Sequence, residues 1–231
     1  MKRVFCPKHK EKTPSLVIYD DHAYCYGGCG RILLSELGIE GESYETVRRE
    51  PPEDIGASIS RIATLPKIWH RGLEFPADDS YFYIVWSDSS YYKRRLLVGG
   101  GGAKYLCPRG VKKPLFVARE TKGQTRLVIV EGELNALSLA SVPGNYDIVS
   151  PGGCGDFKTE RYLSYYLTGY DKYVIVVDKD AAGLSAAIAT KALLLKHSPY
   201  IDVRFMDEDY NDVLVNQGRQ QLIKITNDLL K

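Results

Sequence analysis

Hydrophobic positions along this chain change rhythm near residue 121. Beyond it, apolar runs of strand length alternate with stretches of helical period: 126–130, 133–142, 146–150, 158–168, 172–177, 182–196 and 201–206. An amphipathic stretch from 218 to 231 closes the chain and reads as a helix. The runs Leu127-Val128-Ile129-Val130 and Tyr173-Val174-Ile175-Val176-Val177 are continuous and mostly β-branched, the pattern of strands covered on both faces. Strand and helix in alternation predict a parallel α/β sheet.

Ahead of that region the pattern is β-rich. Tyr81-Phe82-Tyr83-Ile84-Val85-Trp86 and Tyr91-Tyr92-Lys93-Arg94-Arg95-Leu96-Leu97-Val98 flank the turn Ser87-Asp88-Ser89-Ser90, which predicts a hairpin. Residues 15–19 and 23–26 bracket Asp20-Asp21-His22 in the same way. Residues 41–55 are charged and carry Pro51-Pro52, the composition of a linker. The expected organisation is a β-rich metal-binding ribbon over 1–40, the linker, a mixed α+β segment over 56–120, an α/β domain over 121–216 and a terminal helix over 217–231.

Composition narrows the class. With 44% hydrophobic and 26% charged residues, the chain has the make-up of a soluble globular protein. No apolar run approaches the ~20 residues that span a bilayer. The segment Met1-Lys2-Arg3-Val4-Phe5-Cys6 lacks a signal-peptide core, so a cytoplasmic address without membrane attachment is expected. Charge is uneven. Residues 56–120 hold 11 Lys/Arg against 5 Asp/Glu, whereas the remainder holds 20 against 24. A basic middle between acidic ends suits a segment that handles a polyanion.

Five cysteines, three of them early, favour metal binding in a reducing compartment over disulfides. Cys6-Pro7-Lys8-His9 and Cys25-Tyr26-Gly27-Gly28-Cys29 form two knuckles joined by a hairpin-length insert. Their four donors suit tetrahedral Zn²⁺, with glycines letting the backbone wrap the ion. His22, in the expected turn, is the alternative to His9. Four protein ligands leave no open position, so this zinc would be structural.

Two acidic signatures follow strand-like runs. Glu131-Gly132-Glu133 comes after Val130, and Asp178-Lys179-Asp180 after Val177. The carboxyl ends of parallel strands are where ligands bind in open α/β sheets. Glu131, Asp178 and Asp180 placed there can hold Mg²⁺ and, through it, phosphate oxygens. Asp209, in Asp207-Glu208-Asp209-Tyr210-Asn211-Asp212 after the next strand, would add a ligand. Carboxylates at strand ends also serve as helix caps, the plainer explanation for any one of them.

These segments resemble bacterial and phage DNA primases. Cys6, His9, Cys25 and Cys29 with Glu11-Lys12-Thr13-Pro14-Ser15 look like the zinc-binding segment of that family, and Trp69-His70-Arg71-Gly72-Leu73 and Lys104-Tyr105-Leu106 like parts of its central domain. Val130-Glu131-Gly132-Glu133-Leu134-Asn135-Ala136-Leu137 and Asp178-Lys179-Asp180-Ala181-Ala182-Gly183 resemble its TOPRIM catalytic motifs, and Asp209-Tyr210-Asn211-Asp212 its later acidic motif. The resemblance implies synthesis of short RNA primers from NTPs on a single-stranded DNA template. It further implies catalysis by Glu131, Asp178 and Asp180 with Mg²⁺ or Mn²⁺, zinc in the N-terminal segment, and a separately encoded replicative helicase as partner in a bacterial or phage-infected cell. Arg94, Arg95 and Lys104, then Lys93 and Arg71, become the nucleic-acid or NTP contacts.

Three positions depart from the family pattern. Asn135 stands where Asp is usual, the second knuckle is one residue longer, and Lys179 replaces a common glycine. Gly99-Gly100-Gly101-Gly102-Ala103-Lys104 lacks the Gly-Lys-Ser/Thr ending of a phosphate loop and reads as a flexible loop near the template path. Two alternatives compete: a non-catalytic DNA-binding recombination mediator, a class that also joins zinc to TOPRIM, and a TOPRIM nuclease.

Overall fold

The computed structural model describes residues 3–11, 13–19, 22–38, 51–97, 104–153 and 169–229. The helix expected over 158–168, most of the 41–55 linker and the Gly99–Gly102 loop lie outside them. The chain divides into two compact units, residues 1–51 and 52–231.

The first unit is a four-stranded antiparallel sheet in sequential order: β1 (Arg3–Val4), β2 (Leu16–Ile18), β3 (Ala23–Cys25) and β4 (Gly30–Ile32). Registers Leu16↔Cys25 and Ala23↔Ile32 put one set of alternating residues on a single face. That face buries Leu16, Ala23, Cys25 and Ile32 against Cys6 and Leu34. So small a core cannot hold a fold by apolar burial alone, which leaves a structural role for a metal.

In the second unit, five strands form the central sheet: β10 (Phe116–Arg119), β11 (Arg126–Val130), β12 (Asp147–Ser150), β13 (Lys172–Asp178) and β14 (Ile201–Met206). Their order is β10-β12-β11-β13-β14. The last four run parallel, as the alternation predicts, whereas β10 pairs antiparallel with β12. Side chains alternate faces. Val128, Val130, Ile148, Val174 and Val176 meet helix α2 (Glu133–Ala140) through Leu134, Ala136 and Leu139. Leu127, Ile129, Tyr173, Ile175 and Val177 meet α3 (Ala181–Leu194) through Ala186, Ala187 and Leu194 on the opposite face. Helices on both faces make the strands apolar throughout.

Residues 52–115 supply α1 (Ile55–Ala63), the hairpin β5 (Lys67–His70) and β6 (Leu73–Pro76), and a three-stranded antiparallel sheet of β7 (Tyr81–Val85), β8 (Tyr92–Leu96) and β9 (Tyr105–Leu106). Asp54 starts α1 by accepting the Ala57 N–H. Phe75, Phe82, Trp86 and Phe116 join the same core as Val128 and Leu139, so the basic segment and the α/β domain share one apolar interior. Trp86 closes the seam by donating its indole N–H to the carbonyls of Pro114 and Leu115. The chain ends in α4 (Tyr210–Asn216) and α5 (Arg219–Leu229), separated at Gly218, whose φ of 82° ends the first helix. No described helix is long and apolar enough to cross a membrane.

Leu139 is fully buried between helix and sheet. Leu139→Ala is expected to cost about 2–5 kcal/mol in urea unfolding of the full chain, whereas truncating half-exposed Val215 should change stability far less.

Candidate active-site cleft and metal cluster

In the first unit, Cys6, His9, Cys25 and Cys29 bring their donor atoms within 4.8 Å of one another. The Cys6 and Cys29 sulfurs are 3.8 Å apart, and His9 Nδ1 lies 3.1 Å from Cys29 Sγ and 3.9 Å from Cys25 Sγ. Ligands about 2.3 Å from a tetrahedral ion sit at comparable separations, so the donor set fits a soft divalent metal. His22 stacks on Tyr19 instead, at 4.8 Å between ring centres.

One supporting residue escaped the sequence reading. Glu11 accepts from the N–H groups of Cys6 (2.7 Å) and Ser15 (3.1 Å) and lies 3.0 Å from His9 Nε2. A carboxylate on the far nitrogen fixes the tautomer that presents Nδ1 to a metal. Hydrogen bonding from Ser15, ahead of contributions from Cys6 and His9, holds its carboxyl down to about 2 despite burial. The signal in the sequence was a glutamate two residues beyond a ligand histidine. Gly27 is needed for close approach, because a Cβ there would stand 2.7 Å from both His9 Nε2 and Ser15 Oγ.

The acidic residues meet through strand pairing. Val130 on β11 lies opposite Val176 on β13, and the Glu131 N–H continues the ladder to the Val176 carbonyl at 3.1 Å. Glu131 and Asp178 therefore leave neighbouring strands at the same end. Glu131 Oε2 accepts the Asp178 N–H at 3.2 Å. Asp209, just before α4, enters from the side. Burial, then the charges of Glu131, Asp209 and Asp180, push the Asp178 carboxyl up to about 6. Such crowding of like charge is a field that a cation relieves.

The three acids do not form a ready-made shell. Among the described residues, the Cys/His set is the one group of three or more donors drawn within 4.8 Å. Asp180 caps α3, accepting the Gly183 N–H at 2.7 Å, which is the plainer role anticipated for a strand-end carboxylate. Glu131, Asp178 and Asp209 line a cleft of about 510 Å³, and Asp180 stands just outside it.

Asn135 settles into a structural role. Its Nδ2 donates to Asp209 Oδ1 at 3.3 Å, and its Oδ1 accepts the Asn211 N–H at 3.1 Å. A carboxylate can only accept there and a backbone N–H can only donate, so the amide is fixed in orientation. The Asn135 carbonyl is thus engaged by Asn211.

The same cleft is also lined by basic groups. Arg71, Lys93, Arg95 and Lys104 line the cleft, with Tyr105 among them. Lys93 Nζ, Arg95 Cζ and Lys104 Nζ lie 4.5, 5.2 and 5.8 Å from the centre of the Tyr105 ring. The aromatic face thereby gathers three cations. Lys93 is buried against Glu133 at 2.8 and 3.0 Å. Arg71 pairs with Asp212 and reaches Asn211 Oδ1 at 2.5 Å. Arg95 and Lys104 have no ion pair among the described residues. Arg94 points the other way, as its neighbours' alternation on β8 requires. It lies over Tyr81 at 5.1 Å, beside Glu53 and Asp78.

Arg71 holds a φ of 52°, uncommon for a residue with a side chain. Buried Asn211 clamps it there, donating to the Arg71 carbonyl at 3.0 Å and to Ser138 Oγ at 3.0 Å. This network, invisible in the sequence, ties the β5–β6 turn to Asn135 and so to Asp209.

Residues 128–214 match the Toprim-like family model. Among solved structures, the chain is similar to the primase fragment of the bacteriophage T7 primase-helicase protein, at 16% identity over 98% of both chains with a TM-score of 0.50. It is also similar to the Aquifex aeolicus primase zinc-binding and RNA polymerase domains, at 17% identity over 98% of this chain and 78% of that one, TM-score 0.49. No curated protein matches it. The chain carries a Toprim-like domain behind a cysteine-rich β segment, and its fold is of the primase type.

Two outcomes follow from the cleft. Because the Asp178 pKa is raised, its ionised form disfavours the folded state, a penalty that is absent below about pH 4 and complete above about pH 6. Asp178→Asn should therefore raise the melting temperature of metal-free protein at pH 7.5 and leave it nearly unchanged at pH 4. Asn135→Asp removes a donor from Asp209 and adds a buried charge, and should cost about 1–3 kcal/mol at neutral pH in denaturant titration.

Proposed function

We propose that this protein is a DNA primase, a nucleotidyltransferase that joins ribonucleotides on single-stranded DNA. The observation that carries the reading is one cleft lined both by the acids Glu131, Asp178 and Asp209 and by the bases Arg95 and Lys104. Phosphoryl transfer asks the protein for positioning and charge neutralisation more than for covalent chemistry. The Toprim-like match and the fold shared with a primase fragment support the same reading.

Glu131, Asp178 and Asp209, with Asp180 beside them, would hold Mg²⁺ or Mn²⁺, which would supply charge neutralisation at phosphate oxygens and a more acidic primer hydroxyl. Arg95 and Lys104 are left to grip the triphosphate or the template backbone. Lys93 and Arg71 shape the basic lining through Glu133 and Asp212. Arg94, on the far side of β8, has no part in the cleft itself. Zn²⁺ at Cys6, His9, Cys25 and Cys29 would hold the first unit together.

The T7 fragment belongs to a primase-helicase protein. By that likeness we assign this chain a replicative helicase as partner. A second reading, a non-catalytic DNA-binding mediator, draws on Asn135 and on the structural bonds that Glu131 and Asp180 already make.

One assay separates the readings: full-length protein, single-stranded template, labelled NTPs and Mg²⁺ or Mn²⁺. Short RNA products are expected. Template cleavage would instead identify a nuclease, and binding without chemistry the mediator. Glu131→Gln and Asp178→Asn should each abolish synthesis while circular dichroism stays unchanged, and retained synthesis in either variant would reject the site. Glu11→Gln should weaken zinc about 10–100-fold in chelator competition, by freeing the His9 ring. Cys6→Ser should lose the ion.

A further inference from the structure

The geometry points to a second copy of this chain as the partner of the outer edge of β14 and the exposed flank of α3. In the sheet order, β14 is terminal, and among the described residues no strand pairs with its outer side. Protein edges are ordinarily guarded by proline, a bulge or an unpaired lysine. Ile201-Asp202-Val203-Arg204-Phe205-Met206 has none of these. Its two charges neutralise each other, Arg204 Nη2 lying 2.7 Å from Asp202 Oδ2.

The direction of the free backbone groups follows from the existing ladder. The Tyr200 carbonyl accepts the Tyr173 N–H at 2.9 Å, so the even-numbered residues turn their peptide groups toward β13. Ile201, Val203 and Phe205 consequently direct theirs outward. An antiparallel partner strand centred on Val203 would place Val203 opposite its own copy in a hydrogen-bonded pair. In that register Asp202 faces Arg204 of the second copy, and Ile201 faces its Phe205. The strand is therefore complementary to itself in both charge and hydrophobicity. That self-match selects a second copy over an unrelated strand.

The neighbouring helix agrees. Leu184, Ile188 and Leu195 are 49%, 62% and 54% exposed, against an ordinary expectation of burial for such residues. At 100° per residue they share one flank, about a third of a turn from the face that Gly183, Ala186, Ala187 and Leu194 bury on the sheet. A right-handed crossover from β13 to β14 turns that flank toward the β14 edge. Phe205, 40% exposed, lies on the edge beneath it. A two-fold axis at Val203 would then bring two such flanks together and extend the five-stranded sheet into its copy. None of these residues lines the acidic cleft, so the interface leaves it open.

The test is the oligomeric state of the full-length protein by sedimentation across a concentration series. A monomer–dimer equilibrium is expected. Arg204→Asp sets like charges opposite each other and should raise the dissociation constant about tenfold or more. Adding Asp202→Arg to it restores opposite charges in the reversed order and should recover dimerisation. Val203→Pro removes an outward N–H while keeping the ladder to β13, at the cost of some packing of a partly buried side chain, and should give a folded monomer. Ile188→Glu should likewise weaken the dimer. A chain that stays monomeric at every concentration would overturn the proposal, as would dimerisation indifferent to both Arg204→Asp and Val203→Pro. Primer synthesis per chain is a separate readout, so loss of the dimer and loss of the proposed activity are distinguishable.

Discussion

The parallel ladder between β11 and β13 is the constraint on which the site depends. Its register sets Val130 beside Val176, and with it Glu131 beside the N–H of Asp178. Glu131 and Asp178, separated by 47 positions in the chain, thus become neighbours through the pairing of their strands. A slip of one residue would exchange the two apolar faces of β13, setting Tyr173, Ile175 and Val177 where Val174 and Val176 pack against α2, so the fit of side-chain shapes holds the register that positions the carboxylates. Core packing and chemistry are specified by the same pairs of valines.

This arrangement also explains why the acids are held apart from any single point. Three of the carboxylates perform local tasks: Glu131 on a backbone N–H and Asp209 on Asn135 within the cleft, and Asp180 on a helix start beside it. Those tasks fix each carboxylate at its own position. The cost appears at Asp178, whose proton is retained well above the usual carboxylate range because burial and three neighbouring charges disfavour ionisation. In the same cleft Tyr105 gathers cations, offering its ring to Lys93, Arg95 and Lys104.

Much of this was legible from residue order. Continuous β-branched runs locate β11 and β13, and the strand-end position of Glu131 and Asp178 follows directly from where those runs stop. The two cysteine knuckles announce their cluster because ligand spacing is a local property. What was hidden depends on contacts between distant segments. Nothing near Arg94 in the chain distinguishes it from Arg95, yet pleating sends one to the cleft and the other to Tyr81. Lys93 reads as a ligand contact until Glu133, 40 residues away, takes it up. The antiparallel strand β10 was obscured because Phe116–Arg119 is short and lies in the basic segment, although it pairs with β12. Asn135 reads as a weakened acid, and only its two partners reveal a purposeful amide.

Asn211 has a consequence beyond its own neighbours. Its buried amide serves the Arg71 carbonyl, the Arg71 side chain and Ser138, while its backbone serves Asn135. The hairpin tip and the loop bearing Asp209 are thereby welded into one rigid jaw. Evolution cannot retune either half in isolation: drift at position 71, 135, 138 or 211 should be answered at the others, so that these four sites travel through a lineage as a block.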